Sequence, residues 1–172
     1  LTGTGLNGTG NSLDNVISGN ERANIRNGGG GADTLSGFGG NDRLVVNDLP
    51  FVFADGGEGV DTLALGGAGL VLDLTYPLTT AKLWSIERID LTGTGNNTLI
   101  ISQGSVLGGI GTFFGGAHVL VVEGNSGDKF QFAEQNWIQT GSINYVEGMF
   151  DRWVLGNAEV HVRQVLSPSG AT

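Results

Sequence analysis

Residues 10 to 45 read GNSLDNVIS, GNERANIRN, GGGGADTLS and GFGGNDRLV, which are four rows of nine residues. Every row opens with a glycine and ends in a short β-prone run. The sixth place of each row holds a short side chain with a carbonyl or carboxylate oxygen. These sixth-place residues are Asn15, Asn24, Asp33 and Asp42. Nine residues suit one tight turn and a strand of about three residues at ~3.3 Å per residue. The period therefore predicts a stack of turns and short strands.

The second, fourth and sixth places of a row are candidate metal ligands. Alternate residues of an extended turn point the same way, so these places direct oxygen atoms toward one point. An all-oxygen shell at about 2.3–2.6 Å is typical of calcium, whereas magnesium demands a stricter octahedral shell. A later row, GGEGVDTLA at residues 56 to 64, keeps the same pattern. The candidate ligands of these rows are Gly29, Gly31, Asp33, Phe38, Gly40, Asp42, Gly57, Gly59 and Asp61.

Two rows form one coil of eighteen residues, so turns on the same edge alternate along the chain. Asn15 then stacks with Asp33, and Asn24 stacks with Asp42. Each pair carries one carboxylate and one amide, which predicts weak calcium binding, with a dissociation constant of about 10⁻⁴–10⁻³ M. Arg26 occupies the inward apolar place of its row. These departures predict lower metal occupancy in the first coil.

The rows identify a resemblance. GGGGADTLS and GGEGVDTLA fit the pattern G-G-x-G-x-D-x-U-x at every specified place, and GFGGNDRLV misses only the second glycine. The chain thus resembles RTX proteins, whose hemolysin-type repeats bind calcium in a parallel β-roll. A glycine-rich solenoid without metal is the alternative.

The later segments resemble modules of large secreted bacterial RTX adhesins. They are DGGEGVDTLAL, SIERIDLTGTGNNTLIIS, GNSGDKFQF and a Trp-containing hairpin. This resemblance implies type I secretion in an unfolded state and folding on extracellular calcium. It also implies a location outside the cell or on its surface, and a part in cell adhesion and biofilms. No binding residue is transferred from these segments.

Composition narrows the function classes. The net charge of −9 disfavours nucleic acid and anionic membranes as partners. The absence of cysteine makes bound metal the expected stabiliser of a secreted domain. No apolar run is long enough to predict a transmembrane helix. Leu1 is not an initiator residue, so we expect the chain to be a piece of a longer protein with neighbouring domains. We also expect a monomer.

The fold class predicted is all-β: a calcium-binding parallel β-roll or β-solenoid, closed by an antiparallel β cap. We expect the roll at residues 1–64, an irregular β extension at 65–124, the cap at 125–166 and a linker at 167–172. Strand-like alternation runs through the extension, and a Gly156-Asn157 turn predicts a hairpin in the cap. A short helical turn is expected at 77–86 and a glycine-rich loop at 103–116. We expect Trp137, Tyr145 and Trp153 to pack in the core and at its edge, and a ligand platform is the alternative.

Catalysis is not expected. His118 and His161 lie far apart in strand-like segments, and the chain has no G-x-S-x-G, no H-E-x-x-H and no cysteine. The first hypothesis is a calcium-dependent folding module of an RTX adhesin. The second is a calcium-dependent module that binds a cell-surface glycan or peptide, with loop 103–116 as a wall of the site. The third is the non-catalytic RTX tail of a secreted enzyme.

Overall fold

The computed structural model of the chain describes residues 7–49, 51–76, 82–108, 110, 112–114, 117–164 and 166. Over these residues the fold is almost entirely β, with extensive parallel pairing. The strands are β1 (Asn7–Thr9), β2 (Val16–Asn20), β3 (Ile25–Asn27), β4 (Thr34–Phe38), β5 (Arg43–Val46), β6 (Phe53–Asp55), β7 (Thr62–Leu65), β8 (Val71–Asp73), β9 (Leu83–Trp84), β10 (Arg88–Asp90), β11 (Thr98–Ile101), β12 (Thr112–Phe114), β13 (Ala117–Glu123), β14 (Lys129–Phe132), β15 (Ile138–Tyr145), β16 (Gly148–Leu155) and β17 (Ala158–Arg163).

The nine-residue rows form a two-sheet parallel coil. Strands β1, β3, β5 and β7 lie side by side in the long sheet, and β2, β4 and β6 lie side by side in a second sheet. Ile25 pairs with Arg43, eighteen positions later, as two rows per coil require. Arg43 pairs with Thr62, nineteen positions later, because the turn between β5 and β6 has one extra residue. The all-β fold and the parallel pairing of successive coils, both predicted, are confirmed.

Later coils are wider and include a third sheet. After β7 the chain forms β8 in this third sheet and then returns to the second sheet at β9. Strands β8, β11 and β14 pair in parallel through the buried column Leu72, Leu99 and Phe130. We expected antiparallel strands from residue 125 onward, but β14 continues the parallel solenoid. Its alternating Phe130 and Phe132 fit either kind of sheet, so the pattern alone did not fix its partner.

The C-terminal strands β15, β16 and β17 form the predicted antiparallel unit. Strands β16 and β17 flank the Gly156-Asn157 turn, which confirms the hairpin. Strand β17 also pairs in parallel with β13, so the unit extends the long sheet laterally. Closure of the open end of the roll stays a prediction, as do the four segment boundaries. The linker at 167–172 lies outside the described residues.

Two local expectations differ from the structure. Leu83–Trp84, inside the expected helical turn, is strand β9, and residues 77–81 lie outside the described part. The helix among the described residues is α1 (Gln103–Leu107), where a glycine-rich loop was expected. The Ser102 side chain accepts a hydrogen bond from the Ser105 N–H and caps this helix. Strand β12 follows and pairs antiparallel with β13.

The core is a column of inward aliphatic residues continued by an aromatic cluster. Phe132 stacks on Trp137 with 4.5 Å between ring centroids, and it lies 5.4 Å from Trp153. Both tryptophans are buried, which confirms the core packing expected for them. No helix within the described residues is long and apolar enough to cross a membrane.

Candidate metal centre

The glycines at the second and fourth places of the rows at 28–36, 37–45 and 56–64 have left-handed backbone conformations. The φ angles are 87° and 103° at Gly29 and Gly31, 94° at Gly40, and 97° and 136° at Gly57 and Gly59. Glycine adopts such angles without steric cost, which explains its repeat at these places. The turns that carry these residues are therefore built alike.

Phe38 is the exception, because it holds a φ of 77° without being glycine and its side chain is 53 % exposed. The left-handed conformation costs an L-residue roughly 1–2 kcal/mol. Phe38→Gly removes this cost. Part of the resulting gain in stability is cancelled because glycine has greater freedom in the unfolded chain, which costs about 0.5–1 kcal/mol. We expect Phe38→Gly to raise the free energy of unfolding by up to about 1 kcal/mol, measured by urea unfolding. Val52→Gly, at an equally exposed position, is the control and should destabilise. Equal losses in both variants would refute the strain at Phe38.

The first two turns are built differently. Neither turn has a positive φ among its described residues. Instead, the Leu13 N–H donates to Asn11 Oδ1 at 2.8 Å, and the Arg22 N–H donates to Asn20 Oδ1 at 3.1 Å. An asparagine side chain thus closes each turn where glycine shapes the later ones.

One edge of the solenoid carries a ladder of sixth-place side chains. The Asn24 N–H donates to Asp42 Oδ1 at 2.8 Å, and the Asp42 N–H donates to Asp61 Oδ1 at 2.6 Å. The Asp61 N–H in turn donates to Glu87 Oε2 at 2.8 Å. Each carboxylate therefore binds the backbone of the preceding coil. The structure brings Asn24 and Asp42 together as the sequence predicts, and it adds Asp61 to the same edge.

The opposite edge repeats this arrangement on a smaller scale. The Asn15 N–H donates to Asp33 Oδ1 at 2.9 Å, and the Asn11 N–H donates to Asn15 Oδ1 at 2.7 Å. Asp33 is buried and Asn15 is half-buried. The predicted pair Asn15 and Asp33 is therefore adjacent. Its part in metal binding stays a prediction, as it does for Asn24, Gly29, Gly31, Phe38, Gly40, Asp42, Gly57, Gly59 and Asp61.

Glu87 is the ladder residue that the sequence reading missed. It lies 26 positions after Asp61 because the chain inserts β8 and β9 between them. A signal was nevertheless present. Glu87 directly precedes the strand Arg88–Asp90, just as Asp61 precedes Thr62 and its strand.

The ladder leaves two buried carboxylate oxygens without a hydrogen-bond donor among the described residues. These atoms are Asp42 Oδ2 and Asp61 Oδ2. Burial, together with the nearby Asp42 carboxylate, raises the pKa of Asp61 to about 6 against the hydrogen bond that it accepts from the Asp42 N–H. Burial also raises the pKa of Glu87. Such a site gains from a bound cation.

The opening glycines of the rows keep space for these oxygens. A Cβ at Gly37 would lie 2.4 Å from Asp42 Oδ2, and a Cβ at Gly56 would lie 2.5 Å from Asp61 Oδ2. The donor atoms are all oxygen, which fits calcium. No group of three or more His, Cys, Asp or Glu side chains in the described part of the chain is arranged to hold a metal. A calcium site here would therefore need carbonyl oxygens of the turns as further ligands.

A groove lies beside this edge, on the outer face of the long sheet. Its volume is about 820 Å³, and Glu87 is part of its lining. Tyr145 Oη lies 2.5 Å from His161 Nδ1, and His161 Nε2 lies 2.5 Å from Glu159 Oε1. Arg152 donates to both oxygens of Glu159 at 2.6 and 2.7 Å. Four polar side chains of the groove are thus linked in one row of contacts that runs from Tyr145 to Arg152. The apolar walls of the groove include Val119, Val121 and Ile143.

Glu159 gives the fold an acid-sensitive contact. Hydrogen bonds from Arg152 lower its pKa to about 2, below the ordinary value of 4.5. A depressed folded-state pKa stabilises the protein above the unfolded value, and that stability is lost as the pH falls from 4.5 toward 2. We expect Glu159→Gln to cost about 1–3 kcal/mol at pH 7 and progressively less below pH 4.5, measured by urea unfolding. Asp151→Asn, whose carboxylate accepts from Ser142 and Gln164, is the control. A penalty that does not change with pH would contradict this assignment.

The comparisons with known proteins leave the family open. No family model matches the chain, and no curated protein matches it. One solved structure was found, the solution structure of the AlgE6R3 subunit from the Azotobacter vinelandii mannuronan C5-epimerase. It is 20 % identical, the match covers 88 % of this chain and 71 % of that chain, and the TM-score is 0.22. A TM-score this low carries no argument. The RTX family therefore stays a prediction from the nonapeptide rows.

Proposed function

We propose that this chain is a non-catalytic, calcium-dependent folding module of an extracellular RTX adhesin exported by type I secretion. One observation carries the calcium part of this proposal. Two buried carboxylate oxygens, Asp42 Oδ2 and Asp61 Oδ2, lie against the opening glycines of their rows and have no hydrogen-bond donor among the described residues. Arg26 lies 3.3 Å from the other oxygen of Asp42, whereas no salt bridge reaches Asp61 among the described residues, and a buried charge is costly unless a cation compensates it. The adhesin part rests on the sequence resemblance alone.

The chain's own residues define what calcium would do. Asp42 and Asp61 would hold it through their free oxygens, with carbonyls of the glycine turns completing the shell, and Asp33 would serve the opposite edge. Calcium supplies the positive charge that relieves repulsion between the stacked carboxylates. The backbone hydrogen bonds of the ladder fix one oxygen of each aspartate, so the second oxygen is already oriented. Binding energy is then folding energy.

The test is folding as a function of calcium. Far-UV circular dichroism and a thermal melt are recorded in EDTA and then during a calcium titration, with magnesium as the control. We expect a calcium-specific gain of β signal or a large rise in melting temperature. A melt that is stable in EDTA and unchanged by calcium would refute the proposal.

A second candidate function is ligand binding in the groove beside Glu87. The groove is lined by Arg152 and Glu159, which form an ion pair with two hydrogen bonds, and by Tyr145, which adds an aromatic surface. Such a combination suits hydroxyl groups of a glycan or the backbone of a peptide. Helix α1 and strand β12 replace the loop expected to form a wall. A glycan and peptide array with and without calcium tests this candidate, and an absence of hits in both conditions would count against it.

A further inference from the structure

We propose that Arg26 is a built-in cation that takes the place of a metal ion between the turns of Asn24 and Asp42. The inference rests on the proposed calcium function and identifies which pair of turns does not use calcium. Metal binding on this edge then begins at Asp42 and Asp61 and excludes Asn24. The first coil is thereby held by a charge that is part of the chain.

The position of Arg26 in the sheet is that of a core residue. In the long sheet, Arg26 pairs with Gly8 on one side and Leu44 on the other, in the column that continues as Leu63 and Ile89. Its side chain is fully buried. A buried arginine in an aliphatic column is expensive unless its charge and its donors are met. Its contacts must therefore explain it.

The guanidinium group reaches the carboxylate ladder. Its Nη1 lies 3.3 Å from Asp42 Oδ1 as an ion pair without a hydrogen bond, its Nη2 donates to the Gly37 carbonyl at 2.8 Å, and its Nε has no hydrogen-bond partner among the described residues. Nη2 also donates to Asn24 Oδ1. The arginine thus contacts a carboxylate, a carbonyl and an amide oxygen. These are the three oxygen types that calcium takes in proteins.

The guanidinium also fills the space that opens beside the first glycine of a row. A Cβ at Gly19 would lie 1.1 Å from Arg26 Nη2. In later rows this space is occupied by a carboxylate oxygen of the same row. For example, a Cβ at Gly28 would lie 2.2 Å from Asp33 Oδ2. Row two thus holds a guanidinium nitrogen where later rows hold a carboxylate oxygen, so it loses a metal ligand and gains a positive charge.

The charges agree with this exchange. Relative to the repeat pattern, row two replaces aspartate by Asn24 and an apolar residue by Arg26. Each change raises the net charge of the row by one, and together they match the charge of one calcium ion. Arg26 forms a salt bridge with Asp42, whereas Asp61 has no salt-bridge partner among the described residues, although the Oδ2 atom of each aspartate lacks a hydrogen-bond donor. Two linked changes in one row therefore produce a neutral site without metal.

Calcium ions per folded chain, counted by native mass spectrometry and confirmed by calorimetric titration, test the inference. Asn24→Asp alone should bind the same number of ions as the parent, because Arg26 still occupies the site. Asn24→Asp combined with Arg26→Leu, which restores the repeat pattern, should bind one more ion. Asn15→Asp is the matched control on the opposite edge, where Ile17 takes the place of Arg26. It should tighten calcium binding without any further change.

The outcomes separate this inference from the proposed function. If the parent binds calcium and the double variant gains no ion, the inference about Arg26 fails and the calcium function stands. A gained ion in Asn24→Asp alone also refutes the inference about Arg26. Because this single variant retains Arg26, it tests the inference even if the double variant does not fold. If the parent binds no calcium while the double variant binds one ion, Arg26 is confirmed and the proposed function fails. Absence of binding in both refutes both.

Discussion

Asp61→Asn is expected to raise the melting temperature in EDTA and to abolish most of the rise that calcium produces in the parent. In the absence of metal, the ionised Asp61 is fully buried beside Asp42, and its second oxygen has no partner in the described structure. Neutralising it removes a desolvated charge, worth roughly 1–3 kcal/mol at pH 7. The amide keeps one oxygen for the Asp42 N–H, so the backbone link survives. In calcium the same change removes a ligand.

The measurement is a pair of thermal melts, in EDTA and in saturating calcium, for parent and variant. Glu58→Gln is the matched control, because Glu58 lies in the same turn and its side chain is exposed. It removes one negative charge without touching the ladder and should change both melts little. If Asp61→Asn lowered both melting temperatures equally, Asp61 would be a structural residue and no calcium ligand.

Gly57→Ala is expected to be the most destabilising of these single changes, with a loss of about 3 kcal/mol or more. A Cβ there would lie 2.0 Å from the Phe38 carbonyl oxygen of the preceding coil, and the residue holds a φ of 97°. The obstacle is backbone, so no side-chain rotation can relieve it. The Glu58 N–H donates to the same carbonyl at 2.6 Å, so this coil contact would be displaced.

Gly69→Ala separates the two causes. Gly69 has a similar φ of 69°, but a Cβ there meets nothing within 4 Å. Its substitution should cost only the backbone term, roughly 1–2 kcal/mol. Urea unfolding in saturating calcium measures both variants. Equal losses would mean that the spacing between the coils adjusts, and that the turns are not held as closely as the structure shows.

The nonapeptide rows were sufficient to predict the N-terminal coils. Period, turn and strand are local properties, and glycines at Gly29, Gly31, Gly40 and Gly59 occupy left-handed turns as the pattern requires. Two rows per coil also fixed which residues stack, so Asn15 met Asp33 and Asn24 met Asp42. Where the rows depart from the repeat, the sequence did not predict which strand each strand pairs with. Strand β14 was expected in an antiparallel cap because alternation specifies a face and does not specify a neighbour.

The sequence by itself determined the repeat, the two edges of the roll, the candidate oxygen ligands and the C-terminal hairpin, because each is encoded within a few residues. Only the tertiary structure decided that Glu87 joins the ladder from 26 positions away and that β14 pairs in parallel with β11. It also decided that Arg26 turns inward to Asp42. These features depend on how wide each coil becomes and on which charges burial forces together. Those quantities arise only when distant segments pack.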